Sequence, residues 1–435
     1  MKKAVVVLLT LCLLFTLVGC DKGVVDDGKK TQSPDVSGDP STPPEEVTFD
    51  GVIKVGAVGP LTGASAESGI AAKQGQELAV AEWNAKGGIE IDGKRYEIKL
   101  FYEDSEGKPE VAVAASEKLL GVDKVDVIFS ETLISSCILA VMDLAPKYPD
   151  VVFSTIEGVS TAIPEKFASD PDKYSNFFKA CWSSDTYGKI VAQSVMYLRD
   201  KGLTPQEKTV AFVLEDTDYG RSNAAAAEKL FAADGWETVA YEVSPQGTTD
   251  FYSQIFKLQG LNPAIVVSCF VPAASGIAYT KQVAEIGVDW TDIAIVYPSK
   301  AGYLEGAGST CAGLFWTPLT VDFNSPELLE FADKIRDAFD VSITICQTSG
   351  YDVTNMMFEA IERAGTWKAT EGLSESYAAT EYVGLRGRYV FDENHCAIAG
   401  EGYMNMGLGQ IQEDAVTSYI VWPESMQQAQ PYKRK

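Results

Sequence analysis

Histidine is almost missing: His395 is the only one in 435 residues. Catalysis that turns on a His base, and metal sites built from several imidazoles, have too little to work with. The eight Cys form no C-x-x-C pair, so thiolate zinc sites and thioredoxin-like chemistry lack their ligands. No G-x-S-x-G or H-E-x-x-H occurs, and Gly59-Pro60-Leu61-Thr62-Gly63 lacks the Lys-Ser/Thr that completes a phosphate loop. Basic charge is short as well. Against 61 Asp+Glu stand 36 Lys+Arg, a formal net charge of −25, which argues against a nucleic-acid partner. Acids are scattered rather than clustered, so neither a metal nor a cofactor is expected. Past residue 20, no run of 18 apolar residues is unbroken, so no later segment reads as a membrane span.

What is present begins with an address. Lys2 and Lys3 precede an apolar run, Val5 to Val18, too short to cross a bilayer. It ends in Leu17-Val18-Gly19-Cys20, which resembles a bacterial lipobox. Residues 1–19 are then a signal peptide, and Cys20 is the lipidated first residue of the mature chain. Residues 20–50 are polar, with Pro34, Pro40, Pro43 and Pro44 and no aromatic before Phe49. They bury too little to order themselves and read as a tether. Removing Lys2 and Lys3 takes the charge to −27. The tether's eight acids and three Lys leave −22 on the remainder. The acidity therefore belongs to the folded surface.

From residue 51 short β-rich runs alternate with helical patterns. Strands are expected at Val52–Val58, Tyr96–Tyr102, Val125–Phe129 and Val151–Ser154, with helices at Ile70–Lys86, Pro109–Leu120 and Ser135–Lys147. A second series follows, with strands at Thr209–Leu214, Thr238–Val243, Ala264–Phe270 and Ile293–Val296 between helices. Helices at Pro326–Phe339 and Ser349–Ala364 and a strand at Gly387–Phe391 close the pattern. The fold class is α/β, with two doubly wound lobes of parallel sheet. Ligands of such sheets bind outside the carboxyl ends of the strands, so two facing lobes would make a cleft. Cys181 and Cys269 lie in apolar runs, and mostly free, buried thiols are expected among the six Cys of the body.

The run Ile53–Gly63 (IKVGAVGPLTG) resembles the opening of the branched-chain amino-acid (Leu/Ile/Val) type periplasmic binding proteins, the receptor subunits of ABC importers. The similarity continues through Gly75–Gly88, Tyr102–Ser105, Glu215–Gly220 (EDTDYG), Gly247–Phe251, Pro263–Val267 and Tyr389–Asn394 (YVFDEN). It covers about 360 residues, from 52 to roughly 411. The resemblance implies a type I binding-protein fold joined by a three-strand hinge. Lobe one would hold 51–182 plus 318–405, lobe two 183–317 plus 406–424, and 425–435 would be a tail. Crossings are expected near Trp182, near Pro318 and around Met406–Gly409. It further implies a monomer on the outer face of the bacterial cytoplasmic membrane. That monomer would capture a small polar ligand by hinge closure and engage permease subunits.

Site residues follow from the same resemblance. Ser135 and Ser136 occupy the loop that in the family grips a carboxylate at a helix N-terminus; simple capping is the alternative. Ser68 stands where the first helix begins. In the loop Ser154–Gly158 the family uses backbone and a hydroxyl, and Glu157 is unusual there. It would bind an amino group if it faced the cleft and do nothing as a surface acid. Tyr219 matches a Tyr that closes over the ligand. Phe270 matches a position often held by Tyr and supplies packing only. Trp182 would line the cleft or pack the hinge. Relatives tend to carry an acid where this chain has Ser299 and Lys300. A Lys there repels an ammonium, so three outcomes stand: Glu157 substitutes as amine partner, the ligand lacks an amine, or Lys300 holds a second anionic or carbonyl group.

Three rival functions make different demands on the chain. A lipid-anchored hydrolase would need a base near an activated Ser or Cys, and His395 reads as a solvated turn residue. A sensory module of the same fold, reporting to a membrane receptor, is not separable from an importer subunit by sequence. An adhesive lipoprotein would have no closable cleft.

Overall fold

A computed structural model describes residues 48–318 and 325–434. The proposed signal peptide, Cys20 and most of the tether lie outside the described residues, as does the segment just after Pro318. The βα alternation takes form as two sheets. The first holds β1 (Gly51–Gly59), β2 (Ile89–Ile91), β3 (Lys94–Asp104), β4 (Val127–Phe129), β5 (Val152–Thr155) and β6 (Phe177–Lys179), in the order β2-β3-β1-β4-β5-β6. The second holds β7 (Thr209–Glu215), β8 (Glu237–Ser244), β9 (Ile265–Cys269), β10 (Thr291–Ile295) and β11 (Phe315–Thr317). After a separate hairpin of β12 (Tyr382–Gly384) and β13 (Gly387–Tyr389), it gains β14 (Leu408–Ile411) and β15 (Ser418–Trp422). Its order is β15-β14-β11-β10-β9-β7-β8.

The central pairings are parallel. Central strands such as β4 and β9 are buried along their whole length, as a sheet covered on both faces requires. The edges depart from the wholly parallel expectation. β2 pairs antiparallel with β3 through Asp92-Gly93, both at positive φ, a two-residue hairpin turn. β14 and β15 are antiparallel too. These strands of three to five residues are too short for periodicity to reveal.

Twelve helices are described. α1 (Ala66–Ala85), α2 (Pro109–Lys118), α3 (Ser135–Val141) and α4 (Ala162–Ser169) accompany the first sheet. α5 (Ser184–Asp200), α6 (Asp218–Ala233), α7 (Tyr252–Leu261), α8 (Ala273–Ile286) and α9 (Tyr303–Ala307) accompany the second. α10 (Pro326–Phe339), α11 (Ile345–Ala364) and α12 (Leu373–Ala378) return to the first, where α11 packs along α1. That contact is close. A Cβ on Gly75 would lie 2.1 Å from the Gln347 carbonyl, and one on Gly350 would lie 2.2 Å from that of Ala72. The expected helix Ser135–Lys147 is α only to Val141. Beyond it a 3₁₀ stretch, Met142–Lys147, contains Pro146, which has no N–H to give.

Each lobe has its own apolar layer, around Ile128 and Phe153 in the first and Val213 and Val266 in the second. A third cluster, including Cys181, Trp182, Met404 and Met406, runs through both lobes where the chain passes between them. All six Cys of the body are buried and unpaired.

Candidate ligand site

Carboxyl ends of parallel strands from both sheets converge on one small cavity of about 50 Å³. β4 leads through Leu133 and Ile134 into Ser135 and Ser136, the start of α3. β5 leads into Glu157-Gly158-Val159. From the second lobe come Glu215 at the end of β7, Thr217 and Tyr219 at the start of α6, Gln246 after β8, Val271 after β9, and Val296 and Lys300 after β10. Asp218 of α6, Tyr187 of α5, and Ile345 and Cys346 at the start of α11 complete it.

Local chemistry fixes these ends. Thr217 Oγ1 accepts the Gly220 N–H at 3.1 Å and caps α6. Thr344 and Gln347 form a capping box that starts α11 beside the cavity. α3 has Ile134 at its N-cap and no side-chain cap, and Ser135 and Ser136 of its first turn line the cavity. Gly158 has φ +101°, and a Cβ there would meet Ile138 Cδ1 at 2.1 Å. Val296 has φ +63°, rare for a β-branched residue, and it turns the chain into Tyr297–Ser299 and so to Lys300.

Six of the expected residues meet at the cavity: Ser135, Ser136, Glu157, Gly158, Tyr219 and Lys300. Ser135 is buried, and its hydroxyl accepts the Ser160 N–H at 3.3 Å. Ser136 is half-buried at the helix start. Lys300 is buried, and its ammonium donates to Ser68 Oγ at 3.0 Å and to Cys346 Sγ at 3.8 Å. It forms no ion pair among the described residues, although Glu67 and Glu215 feel its field. Ser68 does not line the cavity and reaches it through Lys300 and Cys346.

Four expectations need correction. Glu157 is no surface acid. It is buried, and its Oε1 accepts from Arg386 Nη1 at 2.6 Å and Ser349 Oγ at 2.5 Å. Trp182 does not line the cavity. Its ring lies under the Arg386 guanidinium, 4.4 Å from centroid to carbon, and edge-on to Tyr187. Phe270 is buried inside lobe two against Phe251, Tyr279 and Tyr297, while the next residue, Val271, reaches the cavity. Ser299 lies in a different hollow beyond Lys300, and its hydroxyl has no partner. His395 does close a turn from Asp392, as expected, but its half-buried ring stacks on Phe178 at 4.1 Å, and burial lowers its pKa.

Sequence reasoning missed Glu215, Gln246, Tyr187 and Arg386. Glu215 is legible afterwards, as the acid ending a buried strand. It accepts from the Val271 N–H at 3.0 Å and Thr217 Oγ1 at 3.1 Å, and burial raises its pKa. Arg386 gave no signal, being brought in by a hairpin tip from a distant part of the chain.

The lobes touch across the cavity mouth. Besides Lys300–Ser68, Gln246 Nε2 donates to Ser65 Oγ at 3.4 Å, and the Thr161 N–H donates to Ser222 Oγ at 3.1 Å. Among the described residues no cluster of three or more His, Cys, Asp or Glu is placed to hold a metal ion. No helix among them is long and apolar enough to cross a membrane.

Comparison with known proteins agrees with this geometry. Residues 52–415 match the Periplasmic binding protein family. A Leu/Ile/Val-binding protein homolog 3 of Brucella melitensis is 24% identical over 318 residues, 72% of this chain and 80% of that one. The branched-chain amino acid substrate binding protein LivJ of Streptococcus pneumoniae, solved with isoleucine, superposes with a TM-score of 0.71. It is 19% identical, over 86% of this chain and all of that one. A solute binding protein of an ABC transporter from R. palustris, solved with benzoate, gives 0.72 at 18% identity, over 85% and 95%. This chain therefore belongs to the periplasmic binding proteins, a family of solute-binding proteins and not of enzymes.

Proposed function

We propose that this protein is the extracytoplasmic receptor of an ABC importer. It captures a small carboxylate-bearing solute, an amino acid or a related organic acid, between its two lobes. One observation carries this reading: a buried ammonium, Lys300, faces the cavity with only a hydroxyl and a thiol as partners. A buried charge without a counter-ion is costly, and an anionic ligand group would supply the missing partner. The uncapped N-terminus of α3, with Ser135 and Ser136, offers a second place for carboxylate oxygens. Relatives solved with isoleucine and with benzoate, both carboxylates, fit the same chemistry.

Lobe one in this reading is 51–182 plus 318–405, and lobe two is 183–317 plus 406–424. Capture closes them about the three passages between. The three bonds across the cavity mouth support a closed state as the bound form. Cys20 carries lipid, residues 20–50 give reach from the membrane, and the receptor works as a monomer at its permease.

The test is a thermal-shift screen against amino acids, dicarboxylates, amides and nucleosides, repeated on Lys300→Gln. Anions that shift the wild type should bind the variant about 10- to 100-fold more weakly, the worth of a charge-assisted hydrogen bond. Equal affinity in the variant contradicts the role of Lys300.

A further inference from the structure

Arg386 is a buried cation held against Glu157 of the cavity wall, and the reading above leaves it unused. It sits in the two-residue turn between β12 and β13, where the Leu385 and Arg386 N–H groups donate to the Asp352 carboxylate at 2.9 and 3.1 Å. The hairpin is thus tied to α11, and the Arg386 side chain runs inward with none of it exposed. Trp182 covers the guanidinium, and Nη1 reaches Glu157 and Ser349. Nε and Nη2 have no partner among the described residues. Glu157 is the only carboxylate on the lobe-one wall of the cavity. Its Oε1 is taken by Arg386 and Ser349. Across the cavity stand Asp218 and Glu215; Glu215 is held by three donors, the Val271 N–H, Thr217 and Gln246, and lies in the field of Lys300.

We propose that Arg386 is a specificity-determining residue: it cancels the charge of Glu157 and so withdraws it from ammonium recognition. Glu157 then adds nothing to the preference for an α-amino group. The physical reason is distance. A guanidinium at 2.6 Å in a buried setting outweighs any ammonium that arrives later and farther off, and a buried pair broken on one side is expensive. The proposal rests on the anion-binding reading of the same site.

The experiment is isothermal titration of the full chain with matched pairs: L-leucine and 4-methylpentanoate, L-phenylalanine and 3-phenylpropanoate, L-glutamate and glutarate. The readout is the ratio of the two affinities within each pair that binds, which a general loss of structure does not move. Glu157→Gln should change that ratio by less than about threefold. Arg386→Met releases the Glu157 charge and should favour the amine-bearing member by about tenfold or more, the scale of a close charge pair. Arg386→Lys should keep the wild-type ratio. A larger loss of the amine-bearing member in Glu157→Gln overturns the proposal, and so does an Arg386→Met that weakens both members equally. If Arg386→Met does not fold, the Glu157→Gln ratio decides alone. A wild type that binds no member of any pair overturns the anion-binding reading itself, whereas binding with the wrong ratio overturns only the role of Arg386.

Discussion

Single residues set the shape of this cavity before any charge acts. Gly158 turns the chain at φ +101° directly against Ile138, a place where a side chain has neither the conformation nor the room. Gly158→Ala should lower the urea midpoint by the equivalent of about 1–3 kcal/mol. A midpoint equal to wild type would contradict the crowding against Ile138. The charges at the cavity divide in the same local way. Glu157 finds an oppositely charged partner inside the protein, whereas Lys300 finds a hydroxyl and a thiol. The sequence could expose one half of this contrast. Lys300 is visible as a cation where relatives tend to carry an acid. The silencing of Glu157 is invisible, because Arg386 is 229 residues away in the chain. Phe270 shows the opposite failure. Its position in the chain suggests the cleft, but an apolar ring gains more inside the ring cluster of lobe two, and Val271 takes the exposed turn.

At the level of elements, helices begin where the site needs them and capping decides where that is. α11 starts at Ile345, one turn before the apolar pattern suggests, because Thr344 and Gln347 close a capping box ahead of it. That extra turn brings Ile345 and Cys346 to the cavity and Cys346 to Lys300. Thr344→Ala should cost about 1 kcal/mol of stability. Hydrogen exchange at the first turn of α11 should rise with it, and unchanged exchange there would show the cap to be idle. Long periodic elements such as α10 and the central strands are legible in the sequence, since their burial imposes the pattern. The short antiparallel edges and the β12–β13 hairpin are not, because a strand of three residues has no period and its pairing is made by distant partners. The hairpin matters most among these, for it delivers Arg386.

For the whole molecule, acidity is the dominant electrostatic fact, and it gives an anionic ligand no general attraction. In the function proposed above, affinity comes from local devices, Lys300 and the start of α3. The same balance sets the pH response. Burial raises the carboxyl of Glu131 to about 7, and those of Asp352 and Asp292 to about 6. A carboxyl whose folded pKa lies above its unfolded one binds more protons when folded, so its contribution falls as pH rises between the two values. Thermal stability should therefore decline from about pH 5 to pH 8. Glu131→Gln, which keeps an acceptor for the Leu133 and Ile134 N–H groups, should flatten part of that slope. A melting temperature that climbs over this range, or a slope unchanged in the variant, would show that these buried acids do not govern it.

The central claim is that the two lobes close on an anionic solute through Lys300. Native mass spectrometry of the protein purified without denaturation tests it most directly, because a receptor of this kind can retain what it has bound. The account predicts a retained small molecule bearing a carboxylate, present in the wild type and lost from Lys300→Gln. A retained cation or uncharged solute, or a carboxylate held equally by the variant, would contradict it.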